Sequence, residues 1–164
     1  MSSELIYDAV VVGGGPAGAT AAHTLALKGM KILLLDKRGR IKPCGGAIPP
    51  RLIKDFQIPD ELLVARAKSA RMVSPSGKAV DIPIENGFVG MVDRAQFDEW
   101  LRERAVTAGA EREDGLFESL TRENSNVRIH YRARGARDSD HGSLKSVLAK
   151  SVIGRSEEHT SELQ

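Results

Sequence analysis

Two apolar runs with a helical segment between them open the chain. Residues 5–12 are almost continuously apolar and rich in valine, which predicts a strand that is buried on both faces. Pro16 then begins a segment with small and apolar residues at helical spacing, and Gly29 ends it. Residues 31–36 form a second apolar run and predict a second, parallel strand. This order of elements predicts a right-handed βαβ unit.

The pattern of apolar positions changes after this unit. Residues 37–50 are typical of a loop because glycine and proline recur there, and residues 51–64 predict a short helical stretch that is broken at Pro59. Apolar and polar positions alternate over residues 66–84, on both sides of a Ser-Pro-Ser-Gly turn, which predicts a β-hairpin. Residues 88–92 predict one more short strand.

A second helix follows this strand. Asp93 precedes the helical pattern and Gln96 stands at the third helical position, as in a capping box, while Gly109 ends the helix. The apolar side chains that recur on one face are Phe97, Trp100, Leu101, Ala105 and Ala108. This face is therefore expected to be buried.

Strand patterns dominate the last third of the chain. Residues 127–131 alternate as a strand, and residues 138–143 predict a turn. Residues 144–148 and 151–153 then predict two further strands. The whole pattern predicts an α/β fold with inserted antiparallel strands around residues 66–92.

Composition narrows the possible functions. The chain has 164 residues, a formal net charge of +2 and 28% charged residues, which describes an ordinary surface without the basic footprint of a nucleic-acid-binding protein. No apolar run is long enough to span a bilayer, and residues 1–7 lack the basic start of a signal peptide. The single cysteine, Cys44, excludes an internal disulfide and fits a reducing compartment. Histidines such as His23 and His130 lack metal-ligand spacing and are interpreted as ordinary residues.

Glycines at fixed spacing follow the first strand directly. Gly13 permits a tight turn, Gly15 allows the main chain to approach a pyrophosphate, and Gly18 allows the helix to pack close to the strand. The helix begins at Pro16 and Ala17, and its N-terminus offers unpaired N–H groups and a partial positive charge to phosphates. The turn therefore has the features of a phosphate-binding site.

An acidic residue at the end of the second strand strengthens this interpretation. Asp36 follows the turn by about 20 residues, where a carboxylate accepts hydrogen bonds from an adenosine ribose. The strand, the glycine turn, the helix and this acid together predict a dinucleotide site. The alternative is a plain strand–helix turn in which the glycines serve packing alone.

Two further stretches indicate ligand contact. Cys44 precedes Gly45 and Gly46, and such a backbone can pass close to a flat ligand, although a glycine turn beside an uninvolved thiol explains the same residues. Arg94 lies in the first turn of the second helix, where the helix dipole favours acids. This conflict indicates an anionic partner, and a solvated arginine explains it equally well. The arginines interpreted as a solvated basic loop are Arg132, Arg134 and Arg137.

The sequence resembles the flavin-dependent geranylgeranyl reductases of (bacterio)chlorophyll biosynthesis. The motifs that carry the resemblance are Lys-Pro-Cys-Gly-Gly-Ala-Ile-Pro at 42–49, Met-Val-Ser-Pro-Ser-Gly at 72–77 and residues 80–94, which are most similar to the bacteriochlorophyll branch. The similarity extends over residues 7–154. It implies that residues 1–154 form the N-terminal part of a Rossmann-type FAD-binding domain with inserted substrate-side strands.

The resemblance also implies roles for particular residues. Those implied to bind FAD are Gly13, Gly15, Pro16, Ala17, Gly18, Asp36, Lys37, Cys44, Gly45, Gly46 and Arg94. Cys44 would lie near the isoalloxazine ring and is the candidate catalytic residue. NADPH would supply electrons to the flavin, and the substrate would be a geranylgeranyl chain on a bacteriochlorophyll or a diphosphate. The protein would act in the cytoplasm, in peripheral contact with a photosynthetic membrane.

Other functions are consistent with parts of the sequence. A nicotinamide-dependent dehydrogenase would use the same glycine turn, but it predicts continuing βαβ units where this chain has the Cys-Gly-Gly loop and a hairpin. Another FAD-dependent, monooxygenase-like oxidoreductase is a second alternative. A catalytically inactive module that binds a nucleotide is the third.

The last ten residues are unlike the rest of the chain. Residues 155–164 match one reading frame of a common sequencing-library adapter, and we interpret them as an artefact. Family members continue with Ala-Asp-Gly after the Val-Ile-Gly at 152–154, whereas Arg155 stands here. The chain is therefore expected to be an N-terminal fragment that lacks a later flavin-contacting segment and is inactive by itself.

Overall fold

The computed structural model describes residues 5–37, 44, 46–85, 87–133 and 142–154. Its elements in chain order are β1 (Ile6–Val12), α1 (Pro16–Ala26), β2 (Ile32–Asp36), β3 (Ala47–Ile48), α2 (Pro50–Asp55), a 3₁₀ turn (Asp60–Leu62), β4 (Leu63–Ala67), β5 (Ser69–Val73), β6 (Ala79–Pro83), β7 (Val89–Val92), α3 (Arg94–Thr107), β8 (Glu111–Glu123), β9 (Asn126–Ala133) and β10 (Leu144–Gly154). They fall into two compact units. Unit 1 contains Met1–Arg40 and Asp98–Gln164, and unit 2 contains Ile41–Phe97.

Unit 1 is a five-stranded sheet that closes on itself in the order β1-β10-β9-β8-β2. β1 lies between β2 and β10 and is parallel to both, and the start of β8 is parallel to β2. The rest of β8 pairs with β9, and β9 pairs with the first half of β10, in antiparallel fashion. The parallel strands end at one edge of the sheet, where Val12 is paired with Leu35 on one side and Gly154 on the other.

Both faces of β1 and β2 are covered, which explains their continuous apolar sequence. Residues on one face pack against the helices in a cluster of Ala9, Val11, Ile32 and Leu34 with Ala22, Ala26, Ala105 and Ala110. Other residues of the same strands belong to a second cluster, which consists of Tyr7, Val10, Leu33 and Leu35 with Ile129, Tyr131, Ala133 and Ala149. The predicted βαβ unit is confirmed.

A buried phenol lies at the end of the sheet where β1 begins. The hydroxyl of Tyr7 donates to Oε2 of Glu111 over 2.6 Å, and the side chain is 5% exposed. Burial, and then this bond to a carboxylate, raises the pKa of Tyr7 well above its ordinary value, because both oppose formation of the phenolate. Burial likewise raises the pKa of Tyr131.

Unit 2 consists of short antiparallel strands and a short helix. β7 pairs with β3 on one side and with β4 on the other, while β5 and β6 form a separate hairpin. These strands confirm the predicted hairpin over 66–84 and the predicted strand at 88–92. The α/β fold class with inserted antiparallel strands is therefore confirmed.

Three strands differ from their prediction. The apolar pattern gave no element for β8, because that strand is mostly polar and pairs its charges across the sheet, as Glu113 does with Lys145 over 2.8 Å. β10 is one strand rather than two, since Lys150 does not interrupt it and instead pairs with Asp8 over 2.6 Å. β4 begins at Leu63, inside the predicted helical stretch, which is otherwise represented by α2 and the 3₁₀ turn after Pro59.

The interpretation of a solvated basic loop is wrong for Arg132. This residue lies in β9, and its Nε donates to Oε1 of Glu118 on β8 over 2.8 Å. The neighbouring strand therefore supplies its partner. The other two arginines of that group, Arg134 and Arg137, lie outside the described residues, as do the loop 38–43, Gly45 and the tail 155–164.

Within the described ranges no helix is long and apolar enough to cross a membrane. The same ranges contain no group of three or more metal-ligating side chains. His23 lies on α1, where burial lowers the pKa of its imidazole, and Nε2 of His130 lies 3.2 Å from the hydroxyl of Thr121 on the neighbouring strand.

Candidate nucleotide-binding site

The glycine turn lies at the edge where the parallel strands of unit 1 end. Gly13 has a φ of +103°, a conformation that favours glycine, and its N–H donates to the carbonyl of Leu35 over 2.8 Å. This bond ties the turn after β1 to the end of β2. The carboxyl ends of parallel strands are the usual place for ligands in α/β proteins, and the turn lies at these ends.

Gly15 and Gly18 differ in the space that surrounds their Cα atoms. A Cβ on Gly15 would meet no heavy atom of the described residues within 4 Å, so the space beside this backbone is open. A Cβ on Gly18 would lie 1.8 Å from the carbonyl oxygen of Gly13, because α1 packs directly against the turn. The first glycine therefore leaves room, and the second is required by packing.

The N-terminus of α1 faces the same turn. Gly15 is the N-cap residue, and no side chain of the described residues caps the helix there. Pro16 is the first helical residue and lacks an N–H, while Ala17 is exposed. The first free N–H groups of the helix, with the positive end of its dipole, are therefore available to an anion.

Asp36 ends β2 beside this turn and forms an ion pair with a residue of α3. Its Oδ2 lies 2.9 Å from Nε of Arg102, and each of the two side chains is 14% exposed. The Nε–H of Arg102 donates to the carbonyl of Gly14 over 2.9 Å. Oδ1 of Asp36 has no hydrogen-bond partner among the described residues. One carboxylate oxygen is thus held by the ion pair.

Gly14 is enclosed by this pair. A Cβ at this position would lie 2.6 Å from Oδ2 of Asp36 and 2.9 Å from Nε of Arg102. Any larger residue would displace the ion pair. The middle glycine of the turn is therefore needed for the position of the acid, whereas the spacing rule assigns it no role.

A second layer of charges holds Arg102. Its Nη1 donates to Oε2 of Glu99 over 3.1 Å, and Arg112 of β8 binds both carboxylate oxygens of Glu99, at 2.6 and 3.1 Å. The hydrogen bonds from Arg112, aided by Arg102, lower the pKa of Glu99 from 4.5 to about 2. Glu99 is therefore ionised at neutral pH, and its carboxylate holds the guanidinium of Arg102 that pairs with Asp36.

Unit 2 contains the other group of predicted site residues. Gly46 has a φ of +67°, and a Cβ at this position would lie 2.1 Å from the carbonyl oxygen of Val92. The N–H of Val92 donates to the carbonyl of Gly46 over 2.9 Å. The N–H of Gly46 donates to Sγ of Cys44 over 3.5 Å, and Cys44 is exposed. Strand pairing thus brings the Cys-Gly segment beside the chain that leads into Arg94.

The start of α3 is capped by a carboxylate. Oδ1 of Asp93 accepts from the N–H of Ala95 over 2.7 Å, which confirms Asp93 as the N-cap residue. Arg94 is then the first helical residue. Lys37, in unit 1, is exposed directly after β2, and Gly45 lies outside the described residues.

Sequence reasoning missed Gly14 and Arg102. Gly14 stands at a position of the glycine pattern where any residue is allowed, so the spacing rule gives it no weight. Arg102 is the partner of Asp36 but lies far from it in sequence. The available signal was its position three residues after Glu99 on a predicted helix, of whose expected apolar face Phe97, Leu101 and Ala105 are buried.

The chain is similar to a protein family and to several known proteins. The family model for pyridine nucleotide-disulphide oxidoreductases matches residues 7–159. Over 126 residues the chain is 65% identical to geranylgeranyl diphosphate reductase of Rhodobacter capsulatus, covering 77% of this chain and 32% of the relative. Over 151 residues it is 39% identical to the chloroplastic geranylgeranyl diphosphate reductase of Arabidopsis thaliana, covering 88% and 32%. The chain thus spans about a third of the length of these curated relatives.

Solved structures share the fold. A geranylgeranyl bacteriochlorophyll reductase-like protein from Thermoplasma acidophilum superposes with a TM-score of 0.79 at 29% identity, covering 93% of this chain and 39% of that one. A flavin-dependent brominase superposes with a TM-score of 0.76 at 22% identity, covering 94% and 39%. The second likeness concerns the fold alone.

Proposed function

The chain belongs to the pyridine nucleotide-disulphide oxidoreductase family, and on that premise we propose that the turn between β1 and α1 binds the adenosine diphosphate part of FAD. The observation that carries the proposal is the open space at Gly15, beside a helix N-terminus without a side-chain cap. Backbone N–H groups at such a terminus bind phosphate oxygens, and the helix dipole favours their charge. A brominase and a halogenase of the same fold depend on flavin, which supports FAD as the nucleotide.

Each residue of the turn then has a distinct task. Gly13 sets the turn, Gly15 leaves room for the pyrophosphate, and Gly18 holds α1 against the strand. The N–H groups near Pro16 and Ala17 donate to phosphate oxygens. Asp36 offers Oδ1 to a ribose hydroxyl, and Lys37 next to it is a further cofactor-binding residue of the proposal.

We extend the proposal to the glycine and cysteine residues of unit 2 and to Arg94. Cys44 is exposed and Gly46 forms a close backbone turn, which suits contact with a flat ring, and Arg94 supplies a positive charge. These residues, with Gly45, would contact the flavin half of FAD. Replacing Cys44 with alanine in the active enzyme should reduce turnover with little effect on FAD content if the thiol acts in the reaction, whereas unchanged turnover would assign it no catalytic role.

We propose that the protein is a geranylgeranyl reductase. The names of its relatives support reduction of carbon–carbon double bonds in a geranylgeranyl chain, carried by a diphosphate or a bacteriochlorophyll. FAD, when bound, supplies the hydride chemistry, and NADPH is the proposed source of electrons. The residues of this chain hold the adenosine end of the cofactor, so that the reacting end has a fixed position. Residues 1–154 are the N-terminal part of the FAD domain, with the strands around 66–92 on the substrate side.

We also propose the site of action. The chloroplastic names of the plant relatives and the apolar substrate support action at the periphery of a photosynthetic membrane. Flotation of the full-length protein with vesicles of photosynthetic lipid composition tests this. Equal distribution of the protein in the presence and absence of vesicles would contradict it.

A nicotinamide-dependent dehydrogenase is the alternative that uses the same turn. The antiparallel unit inserted between β2 and α3 favours the flavoprotein, since a dehydrogenase of this type continues with a helix after its second strand. Titration of the purified chain with FAD and with NAD separates the two. Saturable binding of FAD, lost on Gly15→Val, supports the proposal, and binding of NAD alone would refute it.

A further inference from the structure

We propose that Arg102 is a positioning residue that orients Asp36 for recognition of the adenosine ribose. The inference rests on the proposed function, because it concerns the same nucleotide site. It assigns a task to a residue of α3, far from the glycine turn in sequence. Three sets of contacts carry it: the ion pair with Asp36, the bond to Gly14, and the support from Glu99.

The ion pair leaves one carboxylate oxygen in a defined direction. Oδ2 of Asp36 lies 2.9 Å from Nε of Arg102, and both side chains are mostly buried. A carboxylate held at one oxygen by a cation cannot rotate freely, so its second oxygen is presented in one orientation. The burial of the charge also requires such a partner, since an unpaired carboxylate in this position would be costly. Asp36 is therefore prepared to accept from a hydroxyl before the ligand arrives.

The same nitrogen connects the acid to the phosphate-binding turn. The Nε–H of Arg102 donates to the carbonyl of Gly14, one residue before Gly15. The absence of a Cβ on Gly14 is what allows this approach, because a methyl group there would lie within 3 Å of both Asp36 and Arg102. Ribose recognition and the phosphate turn are thus held by a single guanidinium.

The guanidinium is itself held in place from β8. Nη1 of Arg102 donates to Glu99, and Arg112 binds Glu99 through both of its Nη atoms. This arrangement fixes the plane of the Arg102 side chain. If Arg102 only joined α3 to β2, the ion pair with Asp36 would be enough. Orientation of Asp36 also needs a fixed guanidinium plane and the bond from Arg102 to Gly14.

The test compares two nucleotides that differ in one hydroxyl. ADP and 2′-deoxy-ADP are titrated into the purified 164-residue chain by calorimetry, and the ratio of the two dissociation constants reports recognition of the ribose. In the unsubstituted chain we expect ADP to bind about tenfold more tightly or better, as for one hydrogen bond to a charged group. Arg102→Met should bring the ratio close to one, and Arg102→Lys should restore only part of it.

Two further variants distinguish positioning from stability. Gly14→Ala keeps both charged residues but displaces them, and it should also lower the ratio. Arg104 lies on the same helix, and its guanidinium is 5.4 Å from the ring centre of Trp100. Arg104→Met removes this guanidinium and should leave the ratio of the two dissociation constants unchanged. Thermal unfolding of each variant shows which of them are folded. If Arg102→Met does not fold, Gly14→Ala and Arg102→Lys decide.

Each outcome has a defined meaning. A weaker affinity for both nucleotides at an unchanged ratio in Arg102→Met would overturn the inference and leave a purely structural arginine. A ratio that falls equally in Arg104→Met would overturn it as well. Failure of the unsubstituted chain to bind ADP, or ADP binding that survives Gly15→Val, would overturn the proposed function itself and this inference with it.

Discussion

Replacement of Gly15 by valine separates nucleotide binding from folding. The backbone of Gly15 has a φ of −70° and a ψ of 179°, values that any residue adopts, and the space beside it is open. The matched control is Gly18→Ala, which adds a smaller group three residues later. Its Cβ would lie 1.8 Å from the carbonyl oxygen of Gly13, so either the turn or α1 must move.

The expected magnitudes follow from these two environments. Gly15→Val loses a favourable N-cap residue but stiffens the unfolded chain, and we expect the free energy of unfolding to change by less than about 1 kcal/mol. Gly18→Ala overpacks the turn and should cost about 1–3 kcal/mol, which lowers the melting temperature of a chain of this size by several degrees. For ADP binding we expect the larger loss in Gly15→Val rather than in Gly18→Ala. Valine excludes the pyrophosphate and removes hydrogen bonds to charged oxygens worth about 1.5–3 kcal/mol each.

The assay measures ADP affinity by calorimetry and thermal stability by circular dichroism for the same preparations. We expect Gly15→Val to melt like the unsubstituted chain and to bind ADP at least about tenfold more weakly. Gly18→Ala should melt earlier. Normal ADP affinity in a folded Gly15→Val chain would refute the reasoning, because the open space would then lie away from the ligand.

Three other substitutions or titrations test the remaining contacts. Asp36→Ala should weaken ADP binding by about 1–3 kcal/mol through loss of the ribose hydrogen bond, and an unchanged affinity by calorimetry would show that the acid does not contact the ribose. Glu99→Gln should lower stability at pH 7 by about 1 kcal/mol, a figure reduced for the 45% exposure of the side chain. Because the folded pKa of Glu99 is lowered from 4.5 to about 2, that stabilisation is present above pH 4.5 and is lost towards pH 2, so urea unfolding of the two proteins should converge there. The phenols of Tyr7 and Tyr131, the only two tyrosines of the chain, have raised pKa values, so their stabilisation is present below pH 10 and is lost as the pH rises through the folded pKa. Ultraviolet titration should therefore detect tyrosinate at higher pH in the folded chain than in the chain unfolded in urea, and identical titration curves for the two would contradict this.

The parts of the fold that could be predicted are those where local pattern and burial agree. β1 and β2 are covered on both faces, and their sequences are continuous apolar runs. At the hairpin, the Ser-Pro-Ser-Gly turn joins two segments in which apolar and polar residues alternate. β8 could not be predicted in this way, because charged residues such as Glu118 and Glu113 pair with Arg132 on β9 and Lys145 on β10, which are 14 and 32 residues away in sequence. The continuity of β10 through Lys150 has the same cause, since Asp8 neutralises the lysine from the neighbouring strand.

In the candidate site, too, the residues that act locally could be predicted and the tertiary contacts could not. The positions of Gly13, Gly15 and Gly18 follow from spacing, because each acts on backbone within a few residues of itself. The ion pair of Asp36 with Arg102 joins two elements separated by the whole of unit 2, and no local pattern predicts it. Local motifs therefore indicate the ligand, while tertiary contacts determine how the acidic residue is presented.

We propose above all that the turn after β1 holds the adenosine diphosphate part of FAD. Equilibrium dialysis of the purified chain against FAD and against FMN, which has the same flavin but no adenosine, tests it most directly. We expect that one FAD binds per chain, that ADP displaces it, and that FMN does not bind measurably. Binding of FMN as tight as that of FAD, or no displacement of FAD by ADP, would contradict it.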